Sequence, residues 1–270
     1  MKIPTFEELL DAGVHFGHLK KKWNPAMKPY IFMEKDGIHI IDLHKTIAKL
    51  EEACKVVKEL AKNNKQILFV ATKKQARNIV KEALKPLNLP YIIERWPPGL
   101  ITNFPTIRKA VRKMDLIDKM ITNGTFDKLS KRERLQLERQ RAKLEKNLGS
   151  IANMTRLPHA LFIIDTAKEY IAVKEARSHN IITIGTVDTN CDPTLIDFPI
   201  PANDDASSSI AIIIQTIVDA YKEGLEERNQ ELKKSIPIQQ EQYQTTTKQT
   251  RNLRPRRRRL TSDSNNIKTK

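Results

Sequence analysis

The sequence predicts an α/β protein built on a parallel sheet, and three observations carry that reading. Short apolar runs lack the alternation of a half-exposed strand, amphipathic stretches of helical period separate them, and the excess positive charge lies in two segments outside this framework. The runs are Ile67-Leu68-Phe69-Val70-Ala71, Tyr91-Ile92-Ile93, Leu161-Phe162-Ile163-Ile164 and Ile181 to Val187. Strands buried on both faces have this composition, and their alternation with helices implies β-α-β units with right-handed crossovers.

Taken in order, Ile38 to Asp42 adds a strand ahead of the first long helix. That helix is marked by Ile47, Leu50, Cys54, Val57 and Ala61 at steps of three and four. Lys73 to Leu84 and Lys168 to Ser178 each present one apolar face. Between the second and third runs the pattern changes. Ile107, Ala110, Met114, Ile117 and Ile121 keep a heptad-like spacing, and Asn123-Gly124 supplies a turn. Ser130 with Glu133 then forms a capping box, Leu137, Leu144 and Leu148 mark a seam, and Gly149 is placed as a C-cap. Two antiparallel helices of about 18 residues would make an arm reaching about 27 Å. Phe198 to Ile200 closes the strand set. Ile210 to Glu223 reads as a buried helix, because Ala206, Ala211, Ala220 and its length favour helix over strand. From Asn229 the chain turns to Gln, Thr and Lys and runs to Arg254-Pro255-Arg256-Arg257-Arg258-Arg259, the composition of a disordered basic tail. The expected organisation is an α/β body from 1–104 and 150–228, a helical hairpin at 105–149 inserted in it, and a tail at 229–270.

Charge narrows the function. The 270 residues carry 48 Lys and Arg against 32 Asp and Glu, a net +16. Pro105 to Ser150 holds 13 Lys/Arg and 6 Asp/Glu, and Asn229 to Lys270 holds 11 and 3, so the remainder is nearly neutral. A basic segment on a scaffold too thin for a pocket suits phosphate oxygens, where counterion release supplies affinity. Its cations are Arg108, Lys109, Arg112, Lys113, Lys131, Arg132, Arg134, Arg139, Arg141, Lys143 and Lys146; the competing reading is a solvated surface partly balanced by Glu138 and Glu145. A second cluster, Lys20-Lys21-Lys22-Trp23-Asn24 with Lys28 and Tyr30, joins lysines to aromatic rings, as loops that bind RNA do. Trp23 can stack on a base or fold back as a local anchor. Arg95-Trp96-Pro97-Pro98-Gly99 leads into the arm, with Trp96 read as packing.

Other classes find less support. Neither G-x-G-x-x-G nor G-x-x-x-x-G-K-[ST] occurs, so the common nucleotide cradles are missing. Cys54 and Cys191 form no C-x-x-C pair, which fits a reducing compartment. Met1 to Glu8 carries acids where a signal peptide needs an apolar core, and the apolar stretches are short, so a soluble intracellular protein with no membrane partner is expected. Asp165, Asp188, Asp192, Asp204 and Asp205 follow strands or precede a helix, where a Mg²⁺-dependent phosphotransferase would place them. The alternative gives Asp204 and Asp205 to helix capping and Asp192-Pro193 to a turn. His15 and His18 have no third metal-type ligand nearby in sequence.

Eight strings then supply a resemblance: AGVHFGH (Ala12 to His18), KWNPAMKPYIF (Lys22 to Phe32), GIHIIDLHKT (Gly37 to Thr46), FVATKKQA (Phe69 to Ala76), LITNFPTIRKAV (Leu100 to Val111), LPHALFIID (Leu157 to Asp165), VDTNCDP (Val187 to Pro193) and IPANDDA (Ile200 to Ala206). Over about Thr5 to Arg228 the chain resembles the bacterial small-subunit ribosomal protein S2 family. The resemblance implies a flavodoxin-like sheet with an inserted helical hairpin, no catalysis and no cofactor or small-molecule substrate. It implies binding to 16S rRNA between the head and body of the small subunit, with neighbouring ribosomal proteins and help in seating ribosomal protein S1. RNA contact then falls on the arm cations, on the Lys22-Trp23-Asn24 loop, and on Lys73, Lys74 and Arg77. Pro97-Pro98-Gly99 stands where members usually carry a glycine pair, and the arginine-rich tail lies outside the match.

Overall fold

The computed structural model describes residues 3–126 and 129–252. Five strands, β4 (Ile67–Val70), β5 (Tyr91–Ile92), β6 (Ala160–Ile163), β7 (Ile182–Val187) and β8 (Phe198–Pro201), form a parallel sheet in the order β5-β4-β6-β7-β8. In chain order of these strands that is 2-1-3-4-5, the flavodoxin-like arrangement, with its switch point between β4 and β6. Strand residues alternate between two apolar layers. Phe69, Phe162, Ile184 and Ile200 face one layer, with helices α2 (Leu43–Lys62), α3 (Lys74–Leu84) and α7 (Ser207–Asn252). Leu68, Val70, Leu161, Ile163 and Val187 face the other, with α6 (Tyr170–Ser178) and the 96–101 segment. Burial on both faces is why these strands read as unbroken apolar runs. Gly224 lets α7 close on α2, since a Cβ there would lie 2.4 Å from Lys58 O.

A second sheet precedes this one: β1 (Phe16–Leu19), β2 (Ile31–Lys35) and β3 (Ile38–Ile41), antiparallel in the order β1-β3-β2, after a short α1 (Phe6–Asp11). The sequence reading finds only β3. Asp36 (φ 52°) and Gly37 (φ 74°) both take the left-handed region and turn β2 into β3, as a tight hairpin requires.

The basic internal segment forms α4 (Phe104–Thr122) and α5 (Lys131–Leu148). Val111, Met114, Ile117 and Leu148 are buried, and Ile107, Leu137 and Leu144 are half-buried. Arg141 bonds Asp118, and Arg108 Nη1 donates to Ala152 O at 2.8 Å, so positions pair in descending order along the two stretches. The Ser130–Glu133 capping box is present with both reciprocal bonds, and Gly149 is the C-cap of α5 in right-handed conformation.

The chain divides into compact units Met1–Arg228 and Asn229–Lys270. Helix α7 extends to Asn252. The arginine run from Arg254 lies outside the described residues.

Candidate nucleic-acid interface

Helices α4 and α5 hold most of the cations in question. Lys109, Arg112, Lys113, Lys131, Arg132, Arg139, Lys143 and Lys146 are exposed. Arg134 is half-buried. Arg108 and Arg141 make bonds within the helix pair and at its base. Arg108 ties the base of α4 to the backbone after α5, and Arg141 bonds Asp118 across the pair and Glu145 at 2.5 Å along its own helix. Their guanidinium groups fasten the helices. Lys146 also lies 3.5 Å from Glu94, an exposed pair worth little.

The Lys20–Asn24 loop is pinned to the turn after β7. Asn24 N donates to Thr189 O at 2.8 Å and His18 N to Thr189 Oγ1 at 2.8 Å. Gly17 passes so close that a Cβ would lie 2.6 Å from Thr189 Cγ2. Asn24 Oδ1 caps the following 3-10 turn by accepting from Ala26 N. Lys21, Lys22 and Lys28 point outward, while Lys20 pairs with Glu34 at 2.7 Å on the surface. Trp23 is half-buried with its ring 5.2 Å from that of His39, so the indole is partly an anchor.

Lys73 departs most from expectation. Its Nζ lies 2.7 Å from Asp204, 2.8 Å from Asp205 and 3.1 Å from Asp165, and its side chain is 13% exposed. Burial opposes the ammonium, but the three carboxylates outweigh it and raise its pKa. The ammonium is thus surrounded by carboxylates within the protein. The same geometry revises the aspartates: Asn203 Oδ1, not Asp204 or Asp205, accepts from the N–H groups of Asp205 and Ala206 ahead of α7. Asp192 does hold a turn, accepting from Thr194 N at 2.9 Å. Lys74 is exposed; Arg77 bonds Glu94 at 3.0 Å and Thr72 O at 3.2 Å.

Next to this cluster His18 Nδ1 lies 2.9 Å from Asp188, and His18, Asp188 and Asp204 bring ligand-type atoms within 4.8 Å of one another, as do Asp165, Cys191 and Asp204. The partners that His18 lacks in sequence thus come from 170 or more residues away. Lys73 already supplies positive charge to two of these carboxylates. The Asp188 carboxylate beside His18 raises its pKa above 6.5 against burial, and burial, then Asp188 and Asp165, pushes Asp204 up to about 7. Groups raised on folding stabilise below their unfolded pKa and lose that contribution as pH rises through the folded one. The difference in melting temperature between wild type and His18→Asn is therefore expected to be largest near pH ~6 and to shrink by pH ~8, as read by scanning calorimetry. A gap independent of pH would remove the Asp188 carboxylate from this account.

The elbow into α4 is organised by a residue the sequence reading passes over. Glu175, 7% exposed on α6, accepts from Gly99 N (2.7 Å), Ile101 N (2.9 Å), Thr102 N (3.3 Å) and Trp96 Nε1 (3.2 Å). Burial would raise its pKa, but these N–H bonds hold it below the usual carboxylate range. Trp96 is buried, as packing requires, and Arg95 beside it is exposed.

The comparisons with known proteins bear on this arrangement. The family model described as Ribosomal protein S2 matches residues 9–224. The chain belongs to the ribosomal protein S2 family. It is 63% identical over 227 residues to the small ribosomal subunit protein uS2 of Porphyromonas gingivalis, covering 84% of this chain and 81% of that one. The uS2 proteins of Bacteroides fragilis (62% over 231 residues; 86% and 83%) and Azobacteroides pseudotrichonymphae (62% over 224; 83% and 86%) are similarly related. As an S2 family member the chain is a structural, non-enzymatic ribosomal protein of the small subunit, acting in translation. The phosphotransferase alternative built on Asp165 and Asp188 falls with that assignment. No helix among the described residues is long and apolar enough to cross a membrane.

Proposed function

We propose that the protein binds 16S rRNA between the head and body of the small subunit of the cytoplasmic ribosome and helps seat ribosomal protein S1, the partner implied by the family resemblance. The observation that supports RNA binding is the row of exposed cations on α4 and α5, beside a body that is nearly neutral overall. Lys21, Lys22, Lys28, Lys74 and Arg95 extend the basic surface around the sheet domain. Phosphate contacts fix position, and shape with a few stacking contacts selects the site. Arg108, Arg141 and Lys73 act inside the protein in this reading, holding the surface in place.

The test is a salt titration of the full chain with a 16S rRNA transcript. Each phosphate contact contributes roughly −0.7 to −0.9 to the slope of log K against log[salt]. Neutralising Arg112 and Arg139 to Gln is expected to make the slope shallower by about 1.5 and to weaken binding about tenfold at moderate salt. Arg108→Gln should instead lower stability. Slopes unchanged in the Arg112/Arg139 variant would move the interface off α4 and α5.

A further inference from the structure

We infer that a cavity at the carboxyl ends of β6 and β7 takes one unstacked base of the ribosomal RNA with its phosphate, an inference that rests on the RNA-binding reading above. The cavity is about 490 Å³, within the range of small-ligand clefts. Val173, Cys191 and Ile196 give it apolar walls, and Tyr170 at the start of α6 stands at its side with 53% of its surface exposed. An exposed aromatic face beside an apolar cleft is what a splayed base stacks on. Lys174 Nζ lies 5.3 Å from the Tyr170 ring centroid, and Arg177 follows one helical turn after Val173 and Lys174. Both cations are exposed, so the stacking ring and the charges for a phosphate share one stretch of helix.

Across the cavity, Asn24 Oδ1 accepts from Ala26 N and Asn190 Oδ1 from the Cys191 thiol at 3.1 Å. With the carbonyl ends engaged, the Nδ2 groups remain as donors without a partner among the described residues, complementary to the carbonyl oxygens of uracil or guanine. On the one acid of the wall, Asp192, Oδ1 accepts from Thr194 N and Oγ1, which places the phosphate at the Lys174 and Arg177 side, away from this carboxylate. Asn24 also belongs to the Lys20–Asn24 loop, which makes the cavity continuous with the proposed RNA surface. An acidic peptide would use the two cations and leave the ring and the amides idle; a nucleotide uses all of them.

The test uses the full chain, a 16S rRNA transcript and chemical probing at nucleotide resolution. Tyr170→Ala is expected to weaken binding about fivefold to a hundredfold with the salt slope kept, and to expose one nucleotide to the probe. Tyr170→Phe should restore both affinity and protection, and Arg177→Gln should make the slope shallower by about one. Because Tyr170 is exposed, wild-type melting temperatures for these variants would show that the fold is intact. Wild-type affinity and footprint in Tyr170→Ala, while the Arg112/Arg139 variant still loses binding, would overturn the cavity alone. If uridine or guanosine monophosphate raises the melting temperature through Tyr170 while RNA binding ignores Tyr170→Ala, the cavity is a free-nucleotide site and the inference fails. If the wild-type chain does not bind the transcript at all, the RNA reading falls and takes this inference with it.

Discussion

Glu175→Ala should lower the unfolding free energy by about 3–5 kcal/mol, because one carboxylate satisfies a cluster of donors at the elbow before α4. Trp96 and Ile101 are buried, so the indole N–H and the Ile101 amide would lose their acceptor where water does not replace it, at roughly 1–3 kcal/mol each. The amides of Gly99 and Thr102 are nearer solvent and would recover more. Glu175→Gln keeps one good acceptor and should cost about half as much. The pH dependence follows from the depressed pKa. A carboxylate lowered on folding stabilises above its unfolded value, near 4.5, and the contribution disappears as pH falls through the folded value. Acid unfolding of Glu175→Gln should therefore lack part of the wild-type slope below pH ~4.5. Denaturant unfolding measures the first effect, and faster exchange of the Gly99, Ile101 and Thr102 amides localises it. A variant within about 1 kcal/mol of wild type, with those amides still protected, would show that the elbow is held by its prolines and packing instead.

That elbow marks where the sequence stops being legible. The parallel sheet is readable because strands covered on both sides must be apolar throughout, so Ile67 to Ala71 and Leu161 to Ile164 declare themselves locally. The N-terminal sheet is harder: β2 is exposed along most of its length and shows no apolar face, although Asp36-Gly37 is a hairpin signal that could have revealed it. The capping box at Ser130 is local and readable. Glu175 is not, because an acid in an amphipathic helix looks like a solvent-facing residue, and its donors lie more than 70 residues away. The cations of α4 and α5 can be enumerated from sequence, yet which of them are spent on Asp118 or on Ala152 O depends on how the two helices meet. His18 similarly gains Asp188 only when the turn after β7 folds over Gly17.

Lys73 is the sharpest case, and its removal is the second large effect expected. It occupies the N-cap of α3 without capping it, placing a cation at the end of a helix where the macrodipole favours an anion. The three aspartates account for that: Asp204 is fully buried, Asp165 sits in the left-handed region (φ 64°) at the end of β6, and Lys73 joins both to Asp205 at the head of α7. Lys73→Met would leave buried carboxylates facing one another without a counter-charge, at about 3–5 kcal/mol. Part of this can be relieved by protonation, since burial and its acidic neighbours already push Asp204 up to about 7 and loss of Lys73 pushes it further. The unfolded chain keeps an ordinary aspartate, so uptake of a proton by the folded variant makes its deficit small in acid and larger as pH rises. Urea midpoints at pH ~5 and ~8 should diverge accordingly, and Asp204→Asn in the same chain should recover much of the loss at the higher pH, because the two changes are coupled. If Lys73→Met instead keeps wild-type stability at both pH values and loses affinity for the 16S rRNA transcript, Lys73 belongs to the RNA surface after all, and the aspartates must find their counter-charge elsewhere.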